Sequence, residues 1–374
     1  MNERHSDLLR KSAYVTLDRQ QSTDLALALD EVSDWQSLAH AAERAGLSNI
    51  LYNHLQLMGR ELDDDMDRQF KALKVRQMRA HRTRTQSLTE ILDALAAKEI
   101  KSVLLKGAAL AHVLYESPIF RPMSDIDLLV HADDALDAQA VLRTLGFSAG
   151  DRKDGYMFDH HHLPIAHKMV DRMAINVEVH HQALSGDATS QIDLDSLVSP
   201  LQEFQIEGRH CFALGHEDML RHLCHHAFEP VETIKLGSVV DLYGYAQKNY
   251  ADVNWQLLRE RFPFVINAFR CLHFLTPLPV DLHHDIPPPR VAAPSGVGKG
   301  FPPLSETMRR YQSRRRQISE ILNPPDWWLH VFYNVAPENK ITMTRQVTHP
   351  LQVMRWIWRR IVAKIKSRTT RQNR

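Results

Sequence analysis

The sequence predicts an α+β fold, in which a mixed β-sheet with helices forms a core flanked by N-terminal and C-terminal helical regions. Three observations support this fold class. Apolar residues recur at helical spacing in the first hundred residues, short apolar runs typical of strands follow between residues 99 and 213, and helical spacing returns from residue 216. A stretch containing strands between two helical stretches indicates an α+β arrangement.

The N-terminal helical region is predicted to span residues 1–98. One helix begins after Ser33 or Asp34 and ends at Gly46, because Ser and Asp are preferred N-caps and Gly is a preferred helix terminator. A long helix is predicted over residues 76–98, with one apolar face formed by Leu88, Ile91, Leu92 and Leu95. Its basic start, RQMRAHRTR, fits a solvated helix face better than a nucleic-acid-binding patch.

The core is predicted to span residues 99–213. A strand at 101–105, a helix at 108–116, a strand at 125–130 and a helix from Asp133 to Gly146 come first. A hairpin follows, with its turn at Asp171-Arg172 between LPIAHKMV and AINVEVHH. Apolar and polar residues alternate in its second strand, which places Glu178 on the polar face.

The remaining chain divides by composition into three parts. Residues 214–286 form a helical domain containing HEDMLRHLCHHAF and LGSVVDLYGYAQK, residues 287–303 form a Pro/Gly-rich linker, and residues 304–374 form a basic, Trp-containing C-terminal region. The linker fragment Gly296-Val297-Gly298-Lys299 is not a P-loop, because Ala293 and Gly300 replace two required residues and no strand precedes it.

Bulk composition indicates an ordinary globular protein in a reduced, cytosolic setting. The apolar fraction is 44%, the polar start of the sequence shows no signal peptide, and no apolar run approaches the ~20 residues needed to span a bilayer. The three cysteines, at 211, 224 and 271, show no zinc-like pairing. Residues 304–374 carry a formal charge of +11 and the preceding residues −10, so the basic end is expected to meet an anionic partner.

The acidic pair in the second strand of the core is the strongest chemical signal. Asp125 and Asp127 are two residues apart in an apolar strand, so their side chains share one face and repel each other. A hard divalent cation such as Mg²⁺, bound together with substrate phosphates, relieves this repulsion. Asp-x-Asp alone is more often a turn or a solvated edge, but Gly107 stands upstream at a strand-to-helix junction of the kind that binds phosphate.

Several motifs together resemble a known family. LLKGAAL, RPMSDIDLLV (121–130), Val177-Glu178-Val179-His180 and, further along, His216-Glu217-Asp218-Met219-Leu220 are similar to the bacterial uncharacterised nucleotidyltransferase family, a branch of the DNA polymerase beta-like superfamily. The resemblance covers most of the chain from Asp34. It implies that Asp125 and Asp127 bind metal together with a third carboxylate, Glu178, on a neighbouring strand.

The resemblance also implies the chemistry of the site. Two Mg²⁺ ions would serve the in-line transfer of an NMP from an NTP, with ATP favoured, to a hydroxyl or phosphate acceptor. Lys106 and the amides after Gly107 would hold the β- and γ-phosphates, although Ala108 stands where the superfamily usually has Ser or Gly. Glu178 would hold the nucleophile-side metal or act as general base. Arg121 would stabilise the transferring phosphoryl group, or else pair with Asp125.

Other interpretations of the sequence remain open. His180 either orients Glu178 or is structural, Asp241 either reaches the site or forms a cap or buried pair, and the helical pair His222 and His226 suggests zinc without an acidic third ligand. The chain could be a non-catalytic nucleotide- or RNA-binding module. It could also be a membrane-peripheral protein of envelope polysaccharide assembly, anchored to anionic lipid by an apolar stripe composed of Val353, Trp356, Ile357, Ile361 and Ile365. Small molecules, sugar phosphates, RNA and proteins are all conceivable acceptors.

Overall fold

The computed structural model describes residues 3–151, 156–184, 191–228, 234–292, 322–358 and 362. The N-terminal region is helical, as the sequence predicts. Its helices are α1 (Glu3–Lys11), α2 (Arg19–Asp30), α3 (Trp35–Arg44), α4 (Ser48–Leu57) and α5 (Asp64–Ala96).

The ends of α3 and α5 follow from their capping residues. The Asp34 side chain accepts a hydrogen bond from the Ser37 amide at 2.9 Å, and Gly46 adopts a positive φ of 74° after the helix, as predicted. Helix α5 begins twelve residues before the predicted start at residue 76. The Asp63 side chain caps it by accepting from the Met66 amide, and three further Asp residues in its first turn favour the positive end of the helix dipole.

A mixed seven-stranded sheet forms the core, which confirms the predicted fold class. Its strands are β1 (Val103–Leu104), β2 (Asp125–Leu129), β3 (Ser148–Ala149), β4 (Ala166–Val170), β5 (Met173–His180), β6 (Gln202–Ile206) and β7 (Arg209–Ala213), in the order β3-β4-β5-β2-β1-β7-β6. Strand β2 runs parallel to β5 and antiparallel to β1, while β4–β5 and β6–β7 are antiparallel hairpins.

Helices connect the strands of the core. Helix α6 (Lys106–Val113) joins β1 to a 3₁₀ turn at Pro118–Phe120, α7 (Ala135–Thr144) follows β2, and the short α8 (Tyr156–Asp159) precedes β4. Helix α6 begins two residues before its predicted start, at Lys106 itself, so β1 is only two residues long. The hairpin turn lies at Asp171 and Arg172, both with positive φ, as predicted.

The C-terminal half is helical, and its helices pack on one another through aromatic side chains. It contains α9 (His216–Phe228), α10 (Leu236–Lys248), α11 (Trp255–Arg261), α12 (Pro263–Leu272), α13 (Asp326–Phe332) and α14 (342–358), which includes a π turn at Thr344–Thr348. Phe228 of α9 meets Trp327 of α13 at 5.3 Å between ring centroids, and Tyr243 of α10 stacks on Phe269 of α12 at 5.9 Å.

Two sequence predictions fall outside the described residues. Of the predicted linker, only 287–292 is described, so the rejected P-loop fragment at 296–299 is not among the described positions. Much of the basic C-terminal region, 304–321 and most of 359–374, is also outside them. Within the described ranges, every helix is too short or too polar to cross a bilayer.

Candidate active site

The parallel pairing of β2 with β5 brings the predicted carboxylates together. Asp127 lies directly opposite Glu178 in the register, and Asp125 lies opposite Asn176. The intervening Ile126 and Leu128 are fully buried on the other face. The sheet therefore presents three acidic side chains on one surface because of strand register alone.

The tightest cluster at this surface contains a histidine that the sequence left open. Candidate ligand atoms of Asp127, Glu178 and His180 all lie within 4.8 Å of one another. His180 Nε2 lies 2.9 Å from Asp127 Oδ1 and 3.3 Å from Glu178 Oε2, and the ring is fully buried. His180 thus links the two carboxylates, and its role in orienting Glu178, one of the two that the sequence left open, stays a prediction. Asp125 stands beside this cluster rather than in it.

Lys106 supplies a fixed positive charge to the same cluster. Its Nζ lies 2.9 Å from Asp127 Oδ1, and Asp127 is only 1% exposed. Burial lowers the pKa of Lys106, but the nearby carboxylates of Asp127, Glu178 and Asp125 outweigh it and leave this pKa raised. Lys106 stays protonated at neutral pH as the counter-ion of the acidic cluster.

The pKa values of Asp127, inside the cluster, and of Asp125, beside it, are shifted in opposite directions. Burial tends to raise the pKa of Asp127, but hydrogen bonds and charge from His180 and Lys106 reverse this and leave the pKa far below its ordinary value. Burial and the neighbouring Asp127 carboxylate raise the pKa of Asp125. Burial lowers the pKa of His180, but its bonds to Asp127 and Glu178 raise it overall. The site holds a charged, hydrogen-bonded inner group and a more weakly compensated carboxylate at its edge.

The start of helix α6 is strained and open to a ligand. Lys106 has a positive φ of 44°, an uncommon conformation for a residue with a side chain, and Leu105 makes no side-chain cap. The Leu105 amide donates to the Asp127 carbonyl at 3.0 Å, which fixes the turn against β2. A Cβ at Gly107 would lie 3.1 Å from Met123 Cβ, so glycine allows the helix start to approach the loop before β2 closely.

Arg121 pairs with the helical domain rather than with Asp125. Its Nε donates to both carboxylate oxygens of Asp241, at 2.7 and 2.9 Å, and Tyr115 donates to the same carboxylate at 2.6 Å. Asp241 therefore forms the buried pair that the sequence allowed as an alternative. Arg121 also lines a cavity that opens beside Asp125. Its contact with a phosphoryl group stays a prediction.

A cavity of about 530 Å³ opens beside Asp125. Its wall combines four regions of the chain: the helix start at Lys106 and Gly107, the RPMSD loop before β2, the N-terminal helices, and the start of α10. Arg84 of α5 and Lys235 before α10 are among the basic side chains of this wall. The volume falls within the range of small-molecule sites.

The donor set fits a divalent cation. Asp125, Asp127 and Glu178 offer carboxylate oxygens, the ligands that Mg²⁺ prefers, and His180 adds a nitrogen next to two of them. The ammonium group of Lys106 is already paired with the Asp127 carboxylate. The zinc interpretation gains no support: among the described residues, the cluster of three ligands is the one at Asp127, and His222 and His226 have no third ligand close to them.

Sequence reasoning missed two features of the site. His161 and His162 place their rings 5.3 Å from the ring of His180, so these two residues of the HHH motif lie beside the acidic cluster. Arg84 also belongs to the cavity, although its segment was interpreted as a solvated face. A run of histidines near a strand was visible in the sequence, but nothing local marked Arg84 among its neighbouring arginines.

Comparison with known families decides the affiliation of the chain. A sequence model of the family described as uncharacterised nucleotidyltransferase matches residues 31–276, which includes every residue of the cluster and the cavity named above. The chain belongs to the uncharacterised nucleotidyltransferase family. This confirms the resemblance predicted from the RPMSDIDLLV motif, and the seven-stranded mixed sheet is the core in which the family motifs lie.

Two solved structures show a weaker likeness, both of the antibiotic-resistance factor ANT(2″)-Ia. The solution structure is 17% identical, with a TM-score of 0.33, over 46% of this chain and 86% of that chain. The crystal structure in complex with adenylyl-2″-tobramycin is 15% identical, with a TM-score of 0.33, over 46% of this chain and 91% of that chain. Both likenesses are too low to establish the activity or acceptor of this chain. No protein of curated function matches the sequence.

Proposed function

We propose that this member of the nucleotidyltransferase family transfers an NMP from an NTP, with ATP favoured, to a hydroxyl or phosphate acceptor. The observation that carries the proposal is the register of β2 with β5, which sets Asp127 opposite Glu178 beside the open start of α6. An acceptor oxygen attacks the α-phosphorus, the bond between the α-phosphorus and the bridging oxygen to the β-phosphate breaks, and pyrophosphate leaves. The acceptor proton passes to a base.

Each residue of the cluster has a proposed role in this transfer. Asp125, Asp127 and Glu178 would hold two Mg²⁺ ions, which neutralise phosphate charge when bound. The Glu178 side chain is 15% exposed, so it can reach an acceptor as general base or as a metal ligand. His180, between Glu178 and Asp127, keeps the Glu178 carboxylate oriented.

Lys106 is proposed to change partner when the nucleotide binds. In this structure its ammonium group compensates Asp127, a task that a divalent cation would take over. Lys106 would then be free to bind the β- or γ-phosphate, next to the amides after Gly107 and at the helix start. The absence of a hydroxyl at Ala108 fits a site in which lysine replaces that contact.

The decisive experiment measures pyrophosphate release with ATP and Mg²⁺ across a panel of acceptors that includes small molecules, sugar phosphates, RNA and protein. Asp125→Asn and Asp127→Asn should reduce release by at least about a hundredfold, since charge stabilisation of this kind is worth several kcal/mol. Asp137→Asn, an exposed acid on α7, is the matched control and should keep full activity. Release that persists in both site variants would refute the site, and ATP binding without turnover across the panel would support the non-catalytic alternative.

A second candidate property, association with an anionic membrane, is favoured by the surface of α14. Met343, Val347, Leu351, Met354 and Trp358 recur at spacings of three or four residues and are 42–68% exposed. The helix is attached through its other face, where His349 is buried against Trp328 and Tyr333. The stripe predicted from the sequence consists of other residues of the same helix. Of these, Val353 is half-buried, Trp356 and Ile357 are exposed, and Ile361 and Ile365 lie outside the described residues.

Charge favours lipid as the partner of this apolar face, because residues 304–374 carry +11. The full chain should sediment with vesicles that contain phosphatidylserine and much less with vesicles of phosphatidylcholine alone. Leu351→Glu should weaken this association, whereas Leu57→Glu, at an exposed apolar residue of α4, should not. Equal sedimentation of both variants would eliminate the membrane role. A cytoplasmic location with a peripheral membrane contact is our proposal; participation in envelope polysaccharide assembly stays a hypothesis.

A further inference from the structure

Arg84 stands out among the cations of the cavity because it is partly buried and, within the described part of the chain, forms no ion pair. It projects from the middle of α5 into the cavity wall that also contains Asp125. Its Nε is buried and makes no hydrogen bond, and among the described residues no carboxylate forms an ion pair with it. Burial lowers the pKa of Arg84, while the charge of Asp125 partly counters this. A partly buried guanidinium with an unsatisfied donor is costly for the fold.

The other charged residues of the cavity wall that lie nearest the site are already compensated. Lys106 is paired with Asp127, and Arg121 is paired with Asp241. Glu43, an acid of the same wall, is paired with Arg76 outside it. Asp125, the other acid of the wall, acts on Arg84 through its charge but forms no ion pair with it among the described residues. Arg44 and Lys235 add two further cations, so the wall has a surplus of positive charge.

A ligand with several negative charges would resolve this arrangement. A guanidinium presents five N–H donors in a planar fork, which matches two phosphate oxygens. The cavity wall includes Lys106 and Gly107, at the start of α6 that is proposed to bind phosphate, and it extends to Arg84. A phosphate chain held at the helix start would therefore lie in the same cavity as the guanidinium.

We propose that Arg84 is a phosphate-binding residue of the nucleotide site, contributed by the N-terminal helical region to the terminal phosphates of the NTP. This inference rests on the proposed nucleotidyltransferase function and extends it. It makes helix α5 a part of the active site, so that the nucleotide contacts both the sheet and the N-terminal helices. The segment RQMRAHRTR then contains one ligand-binding arginine, at its last position, among arginines that do not line the cavity.

The test compares binding of α,β-methylene-ATP and AMP, each with Mg²⁺, by titration calorimetry on the full chain. Arg84→Gln should raise the dissociation constant for α,β-methylene-ATP between about tenfold and about a hundredfold, the range expected for charge-assisted hydrogen bonds. The constant for AMP, which has no terminal phosphates, should change much less. The matched control is Arg82→Gln, at an exposed arginine of the same helix outside the cavity wall, and it should bind both ligands as the wild type does.

The ratio of the two dissociation constants separates binding from folding, because partial destabilisation affects both ligands alike. Arg84→Lys, which keeps the charge and loses the fork, should give an intermediate ratio and covers the case in which Arg84→Gln does not fold. If the wild type binds α,β-methylene-ATP and the ratio is unchanged in both Arg84 variants, the role of Arg84 is overturned while the proposed function stands. If the wild type does not bind the analogue, both proposals are overturned.

Discussion

Removing the carboxylate of Asp241 should destabilise the fold more than removing its whole polar cluster. Asp241 is 3% exposed and Arg121 21% exposed at the side chain, and the two are joined by paired hydrogen bonds from Nε. Tyr115 donates to the same carboxylate. Asp241→Leu keeps the branched shape of the side chain but leaves a guanidinium without its counter-ion and a buried hydroxyl without its acceptor.

The magnitude follows from burial. Breaking a buried ion pair on one side costs roughly 3–5 kcal/mol, and the partial exposure of Arg121 favours the lower end of that range. The orphaned Tyr115 hydroxyl adds about 1 kcal/mol or more. Burial raises the pKa of Asp241 above its ordinary value even with Arg121 and Tyr115 present. A carboxyl group whose pKa is raised in the folded state stabilises the fold below its unfolded pKa and loses this contribution as the pH rises through its folded pKa. The ionised pair is therefore costly to keep buried at neutral pH.

The triple replacement Tyr115→Phe, Arg121→Met, Asp241→Leu should therefore be far less harmful than Asp241→Leu alone. We expect its free energy of unfolding to lie within about 1 kcal/mol of the wild type, or above it, because apolar residues of similar volume often replace buried ion pairs without loss. Urea denaturation followed by circular dichroism measures both values from midpoint and slope. A triple variant that loses as much as the three single variants added together would refute the reasoning, since it would show no energetic coupling between them.

Three further predictions concern stability. Asp218 is fully buried and accepts hydrogen bonds from Arg221, at 2.6 Å, and from two backbone amides. Asp218→Ala should therefore lower the free energy of unfolding, measured in urea, by about 3–5 kcal/mol. A loss below about 1 kcal/mol would contradict the pairing. A Cβ at Gly215 would lie 2.4 Å from the Pro200 carbonyl oxygen, so Gly215→Ala should cost roughly 1–3 kcal/mol, whereas a thermal midpoint equal to that of the wild type would exclude the clash. Burial, and after it the charge of Lys106, lower the pKa of His226 from its ordinary 6.5 to about 3. The stability that neutral His226 provides is therefore fully present above about pH 6.5 and is lost as the pH falls towards 3. Between pH 6 and pH 4 the wild type should lose about 1.4 kcal/mol more per pH unit than His226→Gln, and parallel curves would show that this histidine is not held neutral.

Local patterns in the sequence were sufficient to predict the central strands and their carboxylates. The alternation in AINVEVHH placed Glu178 on the polar face, and the two-residue spacing of Asp125 and Asp127 put them on one side of β2. The register between β2 and β5 is a different matter. It pairs residues about fifty positions apart, and no local pattern states that Asp127 faces Glu178 rather than a neighbour.

Two other features, the β6–β7 hairpin and the start of α5, were not predicted because their apolar periodicity is weak. The hairpin of β6 and β7 was not predicted, although QEFQI and RHCFA are separated by Glu207 and Gly208, both with positive φ in a tight turn. The polar composition of those strands concealed them, since only one of their faces is buried. The early start of α5 at Asp64 was missed because its first turns are acidic and lack the apolar periodicity used to find it.

The partners of charged side chains were the least predictable part of the site. Arg121 precedes Asp125 by four residues, which suggested an ion pair between them, but its guanidinium pairs with Asp241, 120 positions further along. Sequence proximity favours a contact only when the backbone turns the side chains together, and here the loop before β2 directs Arg121 towards α10. Long-range pairing of this kind depends on the packing of whole domains.

Arg84 shows what such packing adds to the cavity. On the helix it is one of several arginines, and spacing alone gives no reason to separate it from Arg82, which is exposed. Only the position of α5 against the RPMSD loop brings its guanidinium into the wall that Asp125 shares. A positively charged wall binds phosphates and repels a cationic acceptor. If Arg84 binds the terminal phosphates, replacing it should impair nucleotide binding without altering which acceptor is used, so acceptor preference measured at saturating ATP should be the same in Arg84→Lys and wild type.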